Sequence, residues 1–98
     1  MRIAIAQINC TVGDISGNAA KILAAAEHAK QSGAELIITP ELALSGYPPG
    51  DCLLRENFCQ SCAAALAGLV KAINGITLIV GHPHIQEGKL YNAASVIR

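Results

Sequence analysis

Hydrophobic and polar positions along this chain fall into two periods, and the points where one yields to the other mark out the elements. Over residues 2–8, Ile3, Ile5 and Ile8 stand with alanines between them, which predicts a first strand. Its near-continuous apolarity is the pattern of a central strand in a parallel sheet. Residues 9–17 are polar and predict a loop. From 18 to 32 the period changes: Ala19, Ile22, Leu23, Ala26 and Ala29 recur at helical spacing, with Lys21, Lys30 and Gln31 left for water. Ser16 or Asn18 is placed to cap this helix and Gly33 to end it. Residues 35–39 return to a short β-branched apolar run. Strand, helix and strand in so few residues predict a βαβ unit with a right-handed crossover.

Residues 42–51 contain Gly46, Pro48, Pro49 and Gly50, which forbid regular structure. A second helix is predicted over 57–73, burying Phe58, Cys62, Ala65, Leu66, Leu69, Val70 and Ile73, and closed by Asn74-Gly75. Residues 76–82 predict a third strand around Leu78-Ile79-Val80. Gln86-Glu87-Gly88-Lys89 reads as a turn, and 90–97 as a strand returning antiparallel. The expected fold is α/β: parallel strands joined by crossover helices, then a hairpin.

Composition narrows the functional classes. The 98 residues are 52% apolar and 14% charged, against about a quarter charged in ordinary domains, so disorder is disfavoured. Seven basic residues balance seven acidic ones, and Phe58, Tyr47 and Tyr91 are the only aromatics. Neither a basic footprint nor a stacking platform for nucleic acid is supplied. Such an apolar, weakly charged segment, ending in a strand without a terminator, is expected to open a longer chain or domain. No leader and no membrane helix is expected, since the apolar start is short and broken by Gln7; the expected location is cytoplasmic.

The acid at position 41 is the strongest chemical signal. Glu41 follows Leu36-Ile37-Ile38-Thr39-Pro40 directly, at the carboxyl end of a buried strand, where α/β sheets bind ligands. Burial there would raise the carboxyl pKa and suit it to general-base work. The pattern alone leaves a surface or capping glutamate equally open. Tyr47, in a rigid Gly-Tyr-Pro-Pro turn, is a candidate pocket residue or an apolar plug, and Asp51 a candidate cap. His82 and His84, at i and i+2, point to one side of an extended chain, but no third metal ligand is evident. His28 reads as structural or solvated. Asn92 is placed to bond backbone near the site. Cys10, Cys52, Cys59 and Cys62 read as small core fillers, because Cys59-Gln60-Ser61-Cys62 has no second pair at zinc spacing. None has the strand-to-sharp-turn setting of an exposed nucleophile. Neither a dinucleotide fingerprint nor a P-loop is present, so no cofactor site is assigned.

Several of these runs resemble the carbon–nitrogen hydrolase (nitrilase) family over the whole length of the chain. They are Ile3-Ala4-Ile5-Ala6-Gln7-Ile8-Asn9, Asn18 at the head of the first helix, Ala34-Glu35-Leu36-Ile37-Ile38-Thr39-Pro40-Glu41, and Leu90-Tyr91-Asn92-Ala93-Ala94. Thr11-Val12-Gly13-Asp14-Ile15, Ser45-Gly46-Tyr47-Pro48-Pro49 with Asp51, and Gly81-His82-Pro83 look more closely like one branch, the amidase domain that begins glutamine-dependent NAD synthetases. Gly50 and Cys52 depart from that branch's usual residues, Cys52 standing where leucine is usual.

The resemblance implies an α/β/β/α sandwich, with residues 1–98 its N-terminal portion, and a Glu-Lys-Cys triad. Cysteine would attack the amide carbon of glutamine, glutamate would act as base, and lysine would stabilise the oxyanion. Only Glu41 is carried over as catalytic, and Tyr47 as substrate-binding. Lys71 and Lys89 do not match the lysine's motif, so the segment by itself is expected to be inactive. The implied partners are glutamine here and deamido-NAD and ATP with Mg²⁺ in a synthetase domain outside these residues, in a homo-oligomer without nucleic acid or membrane. A stand-alone amidase or nitrilase and a non-catalytic assembly domain are the competing expectations.

Overall fold

In the computed structural model, which describes residues 1–46 and 56–98 (Glu56 by its backbone alone), the elements are β1 (Ile3–Ile5), α1 (Ile15–Gln31), β2 (Leu36–Ile38), α2 (Glu56–Ala72), β3 (Thr77–Gln86) and β4 (Lys89–Ile97). The strands form one sheet in the order β1-β2-β3-β4, parallel until the last, antiparallel pair. Each expected element is present. β1 and β2 are shorter than expected, and β3 runs on through His84 to meet its hairpin turn.

The first helix begins earlier than expected, and neither Ser16 nor Asn18 caps it. Asp14 does so, its Oδ1 accepting from the Gly17 amide at 3.2 Å. Asn18 lies inside the first turn, fully buried, and serves another purpose described below. In α2 the buried side chains are Cys59, Cys62 and Leu69, with Ile73 just beyond; Val70, expected inside, is 55% exposed. The hairpin turns on Glu87 (φ 53°) and Gly88 (φ 76°), two consecutive positive φ angles that fit the right-handed twist of the strands.

Successive right-handed crossovers in one direction along a sheet put both helices on the same side. Ile22, Ala26 and Ala29 of α1 and Cys62 and Leu69 of α2 share a core with Ile37, Leu78, Val80 and Ile97 of the sheet. The register leaves the alternate residues on the opposite face. Ile5 pairs with Ile38, Ile38 with Ile79, and Ile79 with Val96, so one apolar row crosses all four strands. Ile5 and Val96 are 74% and 59% exposed. This face has no covering layer among the described residues, and β1, expected in a central position, is an edge strand of the sheet they form.

Candidate functional site

The parallel strands deliver the chain to a tight turn over residues 41–45, beyond the carboxyl end of β2. Thr39 begins it. Its amide and its Oγ1 both donate to the Ile79 carbonyl, at 3.0 and 3.1 Å, and its Oγ1 accepts from the Gly81 amide at 3.2 Å. The turn is thereby fastened to β3 before Glu41 is reached. After Glu41 the backbone enters a conformation that a branched side chain resists: Leu42 has φ 50°. Holding a non-glycine residue there costs on the order of 1 kcal/mol, so the surroundings must impose it.

Three sets of contacts do. The Leu44 amide donates to the Gly81 carbonyl at 3.1 Å. At Gly81 the turn lies so close that a Cβ would stand 2.6 Å from the Leu42 nitrogen and 2.8 Å from the Pro40 oxygen. Asn18 supplies the second set. Its Oδ1 accepts from the Thr11 amide at 2.8 Å, and its Nδ2 donates to the carbonyls of Thr11 (2.8 Å) and Leu44 (3.1 Å). The side chain thus joins the loop before α1 to the turn after Glu41, and its burial is compensated at both ends. The third set is at Ser45 and Gly46. Ser45 Oγ donates within the turn to the Leu42 carbonyl at 3.2 Å, the Gly13 amide donates to the Ser45 carbonyl at 3.1 Å, and Gly46 has φ 83°.

Glu41 itself is exposed, unlike the residues that hold it: residues 42–46 are all buried. Of the settings that the pattern left open, the described residues give Glu41 the exposed one. A rigid buried turn presents its acid into an open cleft of about 230 Å³, lined also by Ile8, Asn9, Cys10, Pro40 and Ala43. The cleft lies at the end of the sheet where the parallel strands finish. One carboxylate oxygen, Oε1, accepts from Asn92 Nδ2 at 2.5 Å. Asn92 is in β4 opposite Pro83, two residues from Gly81 along β3, on the sheet face that carries Ile79 and Val96. Sequence reasoning directed Asn92 to backbone; a partner 51 positions away cannot be read from local pattern, because it depends on the β3–β4 register.

The other candidates fall elsewhere. His82 is buried, its Nε2 2.7 Å from Ser95 Oγ and its Nδ1 3.1 Å from the Pro83 carbonyl. His84 is exposed, and the rings meet edge to face at 6.3 Å. Among the described residues no third His, Cys, Asp or Glu joins them as a metal ligand group. Cys10 shares the Glu41 cleft, but burial pushes its thiol pKa up, opposed by the Lys21 ammonium, so it is not poised as a thiolate. Burial also raises Cys59, and takes Cys62 to about 11. Tyr47, Asp51 and Cys52 lie outside the described residues. Among the described residues the site therefore holds one carboxylate and no activated nucleophile. That set can orient and deprotonate, and it cannot by itself carry a covalent acyl transfer.

Comparison with known proteins bears on the family and the fold. A family model described as carbon–nitrogen hydrolase matches residues 2–98. A glutamine-dependent NAD(+) synthetase from Xylella fastidiosa is 44% identical over 98 residues, covering 99% of this chain and 18% of that protein. The crystal structure of a glutamine-dependent NAD(+) synthetase from Cytophaga hutchinsonii superposes with a TM-score of 0.94 at 29% identity, over 99% of this chain and 17% of that one. An amidase from Nesterenkonia gives a TM-score of 0.74 at 31% identity, over 88% of this chain and 33% of that one. The chain spans less than a fifth of the length of the curated relatives cited here. The strand and helix order with its mixed sheet matches the nitrilase-like α/β/β/α sandwich, of which one helical layer and one sheet are seen.

Proposed function

The chain belongs to the carbon–nitrogen hydrolase family, and from that premise we propose that it is the opening portion of a glutamine-hydrolysing amidase domain serving an NAD synthetase. Glu41 is the general base, and Tyr47 lines the glutamine pocket. The lysine and the nucleophilic cysteine come from residues other than these 98, carried on the layer that covers the open face of the sheet. Glu41 takes the thiol proton, and the thiolate attacks the glutamine amide carbon. The lysine stabilises the oxyanion, ammonia leaves, and water resolves the thioester. The ammonia goes on to the ATP-dependent amidation of deamido-NAD. ATP and Mg²⁺ belong to that second reaction, and no residue of this chain is assigned to them. The enzyme is a cytoplasmic homo-oligomer. No helix among the described residues is long and apolar enough to cross a membrane.

The observation that carries the reading is the placement of Glu41: an acid raised by a strained, triply fastened turn at the carboxyl end of a parallel sheet. Its proposed partners arrive from the side where Ile5, Ile38, Ile79 and Val96 await cover. The match to NAD synthetases at 44% identity over 99% of the chain, with a TM-score of 0.94 for a solved one, favours this reading over a stand-alone amidase, whose solved examples superpose at TM-scores of 0.74 and 0.81. The test is Glu41→Gln in the full-length enzyme. Glutamine-driven NAD formation should fall by about 10²–10⁴-fold, the usual worth of a positioned base, while formation driven by added ammonia persists. Glutamine hydrolysis unchanged in this variant removes the assignment.

A further inference from the structure

We propose that Asn92 is a positioning residue for Glu41, an inference that rests on the reading of Glu41 as the general base. The hydrogen bond from Asn92 Nδ2 to Glu41 Oε1, at 2.5 Å, ties the acid to β4, which is not among the elements lining the described cleft. Asn92 thus holds one of the two carboxylate oxygens directly. A glutamate side chain has three torsions, and an exposed one samples many rotamers. The backbone fastening described above fixes where the Glu41 Cα lies; it does not fix where the carboxylate lies. Asn92 does that from across the sheet.

Its own position is secured by the sheet. Asn92 lies opposite Pro83 within a nine-residue antiparallel register that runs from Gln86↔Lys89 to Leu78↔Ile97, so its Cα cannot slip without moving the whole hairpin. The chemistry of the donor suits the task. A neutral amide orients a carboxylate without adding the positive charge that would weaken it as a base. Lys or Arg at this position would hold the acid more tightly and leave it less able to accept a proton. The arrangement is a two-point mount, with the turn placing the backbone and Asn92 aiming the oxygen.

The experiment uses the full-length enzyme with Asn92→Ala, Asn92→Gln, Glu41→Gln and the Glu41→Gln/Asn92→Ala pair. Asn92→Ala should lower kcat for glutamine hydrolysis by about 10²-fold, the order that misplacement of a reacting group by an ångström brings. KM for glutamine and the thermal midpoint should stay close to their parent values. Asn92→Gln, which keeps an amide donor, should recover part of the loss. In the Glu41→Gln background, Asn92→Ala should change the residual rate less than about twofold, because a residue acting through Glu41 has nothing left to act on. A kcat within twofold of the parent in Asn92→Ala overturns the proposal while Glu41→Gln still reports on the base. So does an equal loss in both backgrounds, or a loss that follows the thermal midpoint, either of which assigns Asn92 a structural role. Full hydrolysis in Glu41→Gln, a variant that retains Asn92, overturns the base assignment and the mount together.

Discussion

The Leu44 amide and the Gly81 carbonyl meet at 3.1 Å, and this bond sets the turn that bears Glu41 directly on the third strand of the sheet. The contact is possible because position 81 has no Cβ: one would stand 2.6 Å from the Leu42 nitrogen. The neighbour in the way is backbone, which cannot swing aside as a long side chain would.

Gly81→Ala should therefore displace the turn rather than merely weaken the sheet. A loss of about 1–3 kcal/mol is expected from overpacking of this kind, together with loss of glutamine hydrolysis greater than the stability change accounts for. Thermal unfolding and steady-state kinetics on one preparation check both; wild-type hydrolysis in a folded variant would mean that the turn tolerates the displacement.

Asn18 offers a second test of the same mounting. Its side chain bridges Thr11 to Leu44, with a buried hydrogen bond to the Leu44 carbonyl and two part-buried ones to Thr11. Asn18→Leu fills similar space but leaves the Thr11 amide and the Leu44 carbonyl without their partner. Destabilisation of about 1–3 kcal/mol is expected, because the stranded Leu44 carbonyl bears the desolvation cost of a buried group. Chemical denaturation measures it, and a change below about 0.5 kcal/mol would show that water replaces the side chain.

The cysteines should separate by reactivity. Burial takes the Cys62 thiol to about 11, so at pH 8 roughly one molecule in a thousand carries its thiolate. Cys10 is part-exposed with Lys21 acting to lower its pKa, and it should react before Cys62 with a thiol reagent, by mass-resolved labelling. The linkage has a definite sign. The folded-state pKa of Cys62 lies above its unfolded value, so the native contribution is complete below about pH 9, the ordinary thiol value, and is lost as pH rises toward 11. Stability constant across that window would contradict the burial.

The row Ile5–Ile38–Ile79–Val96 predicts how the segment behaves by itself. The isolated 98 residues should bind an apolar dye strongly and self-associate, since large exposed apolar patches seek cover. Val96→Asp should reduce both in the isolated segment, and should destabilise the full-length enzyme, where the proposal puts a second layer over that face. A monomeric segment that binds no dye would argue that the row is shielded in some other way.

The sequence was most legible where periodicity governs. The elements, their order and the parallel-then-antiparallel sheet follow from apolar spacing and turn residues, and Glu41 from its place after a strand. What escaped depends on approaches between distant parts of the chain. Asn18 resembles a helix cap in sequence, but Asp14 takes the cap and Asn18 turns inward to Leu44. Leu42 in a left-handed conformation has no local signal, being imposed from β3 and from Asn18. The resemblance to the family came from specific runs such as Leu36-Ile37-Ile38-Thr39-Pro40-Glu41, which no argument from spacing would have produced.

The described fastenings of the acid, at Thr39, Gly81, Asn18, Ser45 and Asn92, come from α1, from the turn and its approach, and from the β3–β4 hairpin. They are far apart in sequence, so a growing chain that has emerged only as far as Gly46 carries the glutamate without Gly81 or Asn92. The carboxylate acquires its aim only once the hairpin has closed on the turn.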